Sequence, residues 1–319
     1  DIPMKAHTKI LIISLLTLII ILTDLFIYEN FTKRCIPDKS GVMRAKSIEL
    51  ADYLPFDDNS KIIKIKDELP LTDDLPVIDS AAALYPISSA FVNALYPEDS
   101  VIFDGSDFTA ESRLQMRNTP SAYKAVAEGN ADIILCAAPS EEQKKYAADM
   151  NAELEFVPIG REAFVFLVKA DNPVNSLTAD EIRGIYTGKY RLWSELGGKN
   201  IPIGAVQRNE GSGSQSAFLR FMGDEKPVRD IDFISSAIGF SFRFYAGEVA
   251  ANGGVKMLAV DGIYPDPEHI SDGSYPVVSD FYAVYDKNND NPNIPLLIEW
   301  FLSESGQKIV EETGYSPIS

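Results

Sequence analysis

An alternation of strand-like and helix-like segments constrains the fold of this chain more than any other feature of its sequence. The alternation begins near Leu75 and continues toward the end of the 319 residues. Short apolar runs such as residues 132–137 alternate with helical patterns such as residues 140–150, which start with a capping box. This pattern predicts an α/β fold with a parallel sheet, in which ligands bind at the carboxyl ends of the strands.

Two of the predicted strands are long and apolar, at residues 163–168 and 281–285. Helical patterns near the C-terminus indicate that the chain returns to its first half. We therefore predict two lobes joined by two crossing strands. Lobe 1 comprises residues 75–160 and 277–319, and lobe 2 comprises residues 161–276.

A Gly-Ser-Gly-Ser turn at residues 211–214 lies between an apolar strand-like run and a helical pattern. Helix N-termini carry unpaired N–H groups and a partial positive charge, so they bind anions. Arg208, just before the turn, supplies a fork of donors suited to an oxyanion. The segment therefore predicts an anion site, and a capped helix after a flexible loop is the alternative interpretation.

The first 35 residues contain a strongly apolar segment. Two lysines precede it, and residues 10–28 supply 19 positions, enough to cross a bilayer. No Ala-x-Ala pattern follows, so we predict a signal anchor in residues 1–35 that stays uncleaved, rather than a cleaved signal or a lipid attached at Cys35. Such an anchor would hold the bulk of the chain at the extracytoplasmic face of the membrane.

Residues 36–74 are polar and carry prolines at positions 37, 55 and 70. Lysine and isoleucine alternate over residues 61–66, which favours a short strand. We predict a stalk with one small local element here, ahead of the lobes.

Charge and composition exclude several function classes. The net charge of −18 at pH 7 argues against nucleic acid and against charge-driven binding to anionic membranes. A small anion is not excluded, because local donors govern a buried site and salt screens distant charges. Of the two histidines, only His269 lies beyond the apolar segment, so we expect no metal site and no catalytic triad.

Five motifs occur in a characteristic order: residues 132–143, 177–188, 208–214, 237–241 and 306–317. The third reads Arg-Asn-Glu-Gly-Ser-Gly-Ser, and the fourth reads Ala-Ile-Gly-Phe-Ser. Together they resemble the phosphate-binding protein of bacterial phosphate ABC importers, a type II periplasmic-binding-protein family. The resemblance extends from about residue 75 to the C-terminus.

This resemblance implies a two-lobed fold with crossing strands and an extracytoplasmic solute-binding protein. Such a protein captures phosphate or a similar oxyanion by closing its lobes, and delivers the anion to the permease subunits of an ABC importer. It implies no enzyme activity and no cofactor, and we expect a monomer.

The resemblance also implies which residues bind the anion. Arg208, Ser212, Gly213 and Ser214 are expected to form the half of the site in lobe 2. Lobe 1 is expected to contribute N–H groups at a helix start and hydroxyls at the next one. These residues of lobe 1 are Leu84, Tyr85, Thr119 and Ser121, with Ser80 as a further candidate. Apart from the resemblance, Arg161 and Arg243 of lobe 2 are candidates to reach into the cleft as additional cations. The alternatives are a pair with a nearby carboxylate for Arg161 and an exposed side chain for Arg243.

The first loop of the expected site departs from the family pattern. Residues 79–87 read Asp-Ser-Ala-Ala-Ala-Leu-Tyr-Pro-Ile, which leaves Ser80 as the hydroxyl and makes room for a larger or different anion. Residues 136–138 offer no carboxylate to accept a proton from hydrogen phosphate. One alternative is a degenerate, non-transporting anion sensor or adhesion module of the same fold. Another is an enzyme that uses Ser212 or Ser214, although the chain lacks a base for either.

Overall fold

The computed structural model of the chain describes residues 48–228, 236–250 and 254–318. The predicted anchor, residues 1–35, and the first part of the predicted stalk lie outside these residues. Within the described ranges, no helix is both long and apolar enough to cross a bilayer.

The described residues form strands and helices of unequal length. The strands are β1 (Ile78–Ser80), β2 (Ile133–Ala137), β3 (Leu154–Lys169), β4 (Ser176–Leu177), β5 (Gly204–Ala205), β6 (Ala237–Phe242), β7 (Val255–Met257), β8 (Ala259–Val260) and β9 (Val278–Asp286). The helices are α1 (Tyr85–Leu95), α2 (Asn118–Ala127), α3 (Glu141–Asp149), α4 (Ala179–Tyr186), α5 (Gly213–Met222), α6 (Arg243–Ala250), α7 (Pro267–Ser271), α8 (Asn293–Phe301) and α9 (Glu304–Glu312).

One mixed sheet runs through both lobes in the order β1-β2-β9-β3-β6-β5, with β7 also paired to β3. The prediction of a parallel sheet is therefore wrong for the middle of the sheet. Strands β1 and β2, and strands β5 and β6, pair in parallel, whereas β9 is antiparallel to both β2 and β3. The reason is that β9 brings the chain straight back from lobe 2 and inserts between two strands of lobe 1.

Strand β3 leads the chain from lobe 1 into lobe 2. Its first part pairs with β9 and its second part with β6 and β7. The sequence suggested separate strands at residues 154–158 and 163–168, but they are one strand of 16 residues with a register shift between Pro158 and Gly160. The fold is thus the predicted α/β arrangement of two lobes with crossing strands.

Strand β2 shows why apolar runs mark the centre of lobe 1. Ile133 and Leu135 lie in one hydrophobic cluster, while Ile134 and Cys136 lie in another. Successive side chains of a strand point to opposite faces, so a strand covered on both faces is apolar throughout. Lobe 2 has its own cluster, in which Phe218 stacks on Phe240 with ring centroids 4.4 Å apart.

The described part of the predicted stalk packs against lobe 1. Tyr53 and Ile62 are buried in the cluster around α1 and α8. The indole N–H of Trp300 donates to the carboxylate of Asp67 at 2.8 Å. Residues 61–66 form no strand, which corrects that prediction. Their isoleucines pack on the apolar surface of lobe 1 instead of pairing with another strand.

Candidate anion-binding site

A cavity of about 530 Å³ lies between the two lobes. Its wall includes the starts of α1, α2 and α5, so three helix N-termini face one space. Each such terminus contributes partial positive charge and N–H groups without helical partners. Of the residues predicted for the site, Leu84, Thr119, Arg208, Ser212, Gly213 and Ser214 line this cavity.

The start of α5 is built by Ser212. Its hydroxyl accepts a hydrogen bond from the N–H of Gln215 at 3.2 Å, as expected of a helix-capping serine. The N–H groups of Gly213 and Ser214 donate to no atom of the described residues, so they remain available to a ligand. The side-chain oxygen of Gln215 accepts the N–H of Arg208 at 2.8 Å and holds Arg208 beside the helix.

Arg208 gives the clearest indication of an anion site. Its Nη1 is buried, and no hydrogen-bond partner for it exists in the part of the chain that the structure describes. Burial lowers the pKa of the Arg208 guanidinium, yet an arginine side chain stays charged at physiological pH. Buried donors are nearly always paired, and an unpaired charged donor is costly. An anion in the cavity would satisfy this group.

A buried ion pair sets the start of α2. The guanidinium of Arg117 donates to Asp79 at 2.8 Å, and the Arg117 N–H donates to the same carboxylate at 3.0 Å. Asp79 is fully buried at β1, and burial raises its pKa although Arg117 acts in the opposite direction. Asn118 then takes a positive φ of 67°, which Asn tolerates, and Thr119 faces the cavity. The pair thus fixes the position of Thr119.

The start of α1 provides donors two residues earlier than the sequence predicted. A short 3₁₀ turn at Ala82–Leu84 precedes the helix. The N–H of Leu84 donates to Ala81, and that of Tyr85 donates to Ala82, so both predicted donors are already used. The N–H groups of Ala82 and Ala83 have no acceptor among the described residues. These two groups replace the predicted pair.

The lobes touch beside the cavity. The amide of Gln143 in lobe 1 donates to the carbonyl of Gly211 in lobe 2 at 3.0 Å. A Cβ placed on Gly213 would lie 3.1 Å from Oγ1 of Thr119, so the absence of a side chain permits this approach. The structure therefore has the lobes close together.

Residues 111–305 match the family model of the PBP superfamily domain. The chain belongs to the PBP superfamily. The match includes α2, α5 and the crossing strand β3, and it contains all the residues that line the cavity except the four at residues 81–84.

Relatives of this PBP superfamily member include proteins with phosphate in their names. The phosphate-binding protein PstS of Bacillus subtilis is 28% identical over 210 residues, which cover 61% of this chain and 65% of that protein. The chain thus spans less than two thirds of the length of that relative.

Two solved structures are similar to this chain along 98% of their own length. A phosphate ABC transporter substrate-binding protein of Clostridium perfringens with bound phosphate has a TM-score of 0.58 and 25% identity, covering 76% of this chain and 98% of that one. An ABC-type phosphate transport receptor of Vibrio cholerae has a TM-score of 0.53 at 20% identity, covering 75% and 98%, and supports the fold.

Three residues predicted for the site, Tyr85, Ser80 and Ser121, do not line the cavity. Tyr85 is fully buried in the core of lobe 1, where its hydroxyl donates to the carbonyl of Leu50 at 3.2 Å. Ser80 is also fully buried and accepts a hydrogen bond from Ser88. Ser121 is exposed and does not line the cavity. Helical geometry explains why Ser121 does not reach the cavity, because a residue two positions after Thr119 projects from another face of the helix.

The two further arginine candidates are also elsewhere. Arg161 pairs with Asp280 at 3.3 Å, and Arg243 donates to the carbonyl of Pro265 at 2.6 Å. Both line a second cavity of about 300 Å³ beside the crossing strand rather than the cavity at Arg208.

Sequence reasoning missed several polar residues of the cavity wall, among them Glu162 on β3, Ser241 on β6 and Ser279 on β9. Glu162 is only 5% exposed, and its Oε1 accepts the N–H of Phe244 at 2.7 Å. Burial raises the pKa of Glu162 to about 8. The available signal was a carboxylate at the edge of a long apolar run, because apolar strands seldom bury an unpaired charge.

Proposed function

We propose that this chain binds phosphate, or a similar oxyanion, between its lobes and delivers it to the permease subunits of an ABC importer. The observation that carries this proposal is the buried Nη1 of Arg208, which lacks a partner among the described residues and lies at a cavity bounded by three helix starts. The names of the relatives and the phosphate bound to the Clostridium protein support the choice of anion.

The available donors suffice for a tight site. A hydrogen bond to a charged group contributes about 1.5–3 kcal/mol, and each 1.4 kcal/mol changes affinity about tenfold. The guanidinium of Arg208 and the N–H groups of Gly213, Ser214, Ala82 and Ala83 approach the anion from both lobes. Binding therefore favours the closed arrangement, because an anion between the lobes contacts donors of both.

Delivery and location are further parts of the proposal. The Clostridium protein is named as part of an ABC transporter, which supports a partnership with permease subunits. The predicted N-terminal anchor would hold the lobes at the extracytoplasmic face of the membrane. A protease-accessibility assay on intact cells tests this location, since protection of the lobes from the protease would contradict it.

Calorimetry on the full chain tests the site. Bound anion is first removed by unfolding and refolding, and phosphate and then sulfate are titrated. Replacing Arg208 by Ala should weaken phosphate binding about 100-fold, because one charge-assisted contact is lost. Arg243→Ala is the matched control and should change affinity less than about twofold. Undiminished affinity of the Arg208→Ala variant would contradict this site.

A non-transporting anion sensor of the same fold is the second candidate. The observation in its favour is the start of α1, where Ala81, Ala82 and Ala83 offer no hydroxyl to an anion. Phosphate uptake by cells that lack this chain separates the two functions. Reduced uptake supports the importer, whereas normal uptake together with intact binding by the purified chain supports the sensor.

The cavity gives little support to the alternative of an enzyme that uses Ser212 or Ser214. The hydroxyl of Ser212 is engaged as a helix cap, and the ring of His269 is bound to Asp266 at 2.8 Å, away from the cavity. The named relatives are binding proteins.

A further inference from the structure

The cavity is several times larger than inorganic phosphate. Four oxygen atoms, each near the size of a water molecule at about 30 Å³, need no more than about 120 Å³. The cavity measures about 530 Å³, which lies within the range that holds a small organic molecule.

The two lobes already contact each other beside this cavity. Gln143 already bonds to Gly211 across the lobes, and Arg220 of lobe 2 reaches the carbonyl of Ala138 in lobe 1 at 3.4 Å. Part of the extra room comes from Ala81, Ala82 and Ala83, which line the cavity at that helix start with methyl groups alone. The space is therefore built into the wall.

Polar groups without partners line this extra space. Ser241 is 3% exposed, and its hydroxyl has no hydrogen-bond partner in the part of the chain that the structure describes. Only Oε1 of Glu162 is bonded to a described residue, through the N–H of Phe244, so Oε2 is available to a ligand. Both residues line the cavity, so their oxygen atoms can bond to hydrogen-bonding atoms of a ligand besides its phosphoryl oxygens.

The charges of the wall indicate the character of the remaining part of the ligand. Glu162, Glu210 and Asp280 line the cavity, and Asp280 is paired with Arg161. The carboxylates of Glu210 and Asp280 disfavour a second anionic group on the ligand, and such a group gains nothing from Glu162, whose burial favours the neutral form. Hydroxyl groups fit better, since they both donate to a carboxyl oxygen and accept from the hydroxyl of Ser241.

We propose that the cavity takes an organic phosphate monoester with a short, uncharged, hydroxylated group. Its phosphoryl group binds at Arg208 and the three helix starts, and its hydroxyl groups bind at Ser241 and Glu162. The proposal rests on the proposed oxyanion site and names the class of ligand that fills it.

Calorimetry on the full chain, from which bound anion is first removed by unfolding and refolding, tests the proposed ligand class. The three probes are glycerol 3-phosphate, inorganic phosphate and glycerol. Glycerol 3-phosphate should bind at least about tenfold tighter than inorganic phosphate, and glycerol alone should produce no binding heat. Inorganic phosphate binding as tightly as the ester, or more tightly, would overturn this proposal and leave the oxyanion site standing. Binding of neither phosphate compound would overturn both.

A variant of the wall adds a second test. Ser279 lies opposite Glu162 in the pairing of β3 with β9, and valine suits a half-buried strand position. Ser279→Val replaces a hydroxyl by two methyl groups, so it should weaken the ester at least about fivefold more than inorganic phosphate. Circular dichroism and the melting temperature establish that the variant folds. Equal losses for both ligands would contradict the assignment of this wall to the organic group.

Discussion

Replacing Glu162 by Gln should flatten the dependence of stability on pH. Glu162 is 5% exposed, and burial raises its pKa to about 8 from the ordinary value of 4.5. The folded chain therefore keeps this proton up to about pH 8, while the unfolded chain releases it above pH 4.5. Because the folded state binds the extra proton over this interval, stability falls as pH rises from 4.5 to 8.

The size of the effect follows from the same interval. One proton contributes 1.36 kcal/mol per pH unit, so the span from pH 4.5 to pH 8 bounds the loss at about 5 kcal/mol. Glutamine has the same shape, carries no charge, and keeps an oxygen that can accept the N–H of Phe244. Between pH 5 and pH 8, a span of three units, the Glu162→Gln variant should therefore lose about 3–4 kcal/mol less stability than the natural chain.

Urea unfolding at pH 5, 6.5 and 8 measures this difference. Other buried acids, such as Asp79, contribute equally to both chains and cancel in the comparison. Glu142→Gln, at an exposed position of α3, is the control and should follow the natural chain. Parallel stability curves for the natural chain and Glu162→Gln would refute the argument, since they would mean that Glu162 is ionised in the folded protein.

Two further predictions concern the positions that frame the cavity. Gly160→Ala would place a Cβ 2.2 Å from the ring of Phe281, so it should destabilise the fold by about 1–3 kcal/mol in urea unfolding. Gly254→Ala, with no atom within 4 Å of the new Cβ, is the control, and equal effects of the two changes would contradict the reasoning. Asp79→Asn leaves the guanidinium of Arg117 without its carboxylate and should lower the free energy of unfolding by about 2–4 kcal/mol. We expect less than for a fully buried pair, because the Arg117 side chain is 32% exposed and water partly solvates it. A melting temperature unchanged from the natural chain would show that the pair contributes nothing.

The parts of the fold that could be predicted are those governed by local pattern. The turn at residues 211–214 is a capped helix start because Ser212 can cap and Gly213 has no side chain, and both properties are visible in the sequence. The buried run of β2 was equally clear, because an apolar run of this length fits a strand covered on both faces.

The parts that were missed depend on contacts between distant segments. The pairing of β9 between β2 and β3 joins residues more than a hundred positions apart, and no local pattern specifies it. Tyr85 was predicted to offer its N–H to the anion. A 3₁₀ turn precedes α1, however, and the N–H of Tyr85 donates to the carbonyl of Ala82 within it. Glu162 became part of the cavity wall only through the position of β3 between the lobes.

The continuous sheet has a mechanical consequence for ligand exchange. The ladder between β3 and β9 extends from Leu154 to Ala163 with a single register shift beside Gly160, and β3 then continues in lobe 2 with β6. The lobes therefore cannot swing apart on a slack loop, since any opening must twist these hydrogen-bonded strands. Twisting an intact ladder stores elastic energy that returns the lobes to their starting position. An opening of the lobes that releases a ligand thus requires a deformation of these paired strands.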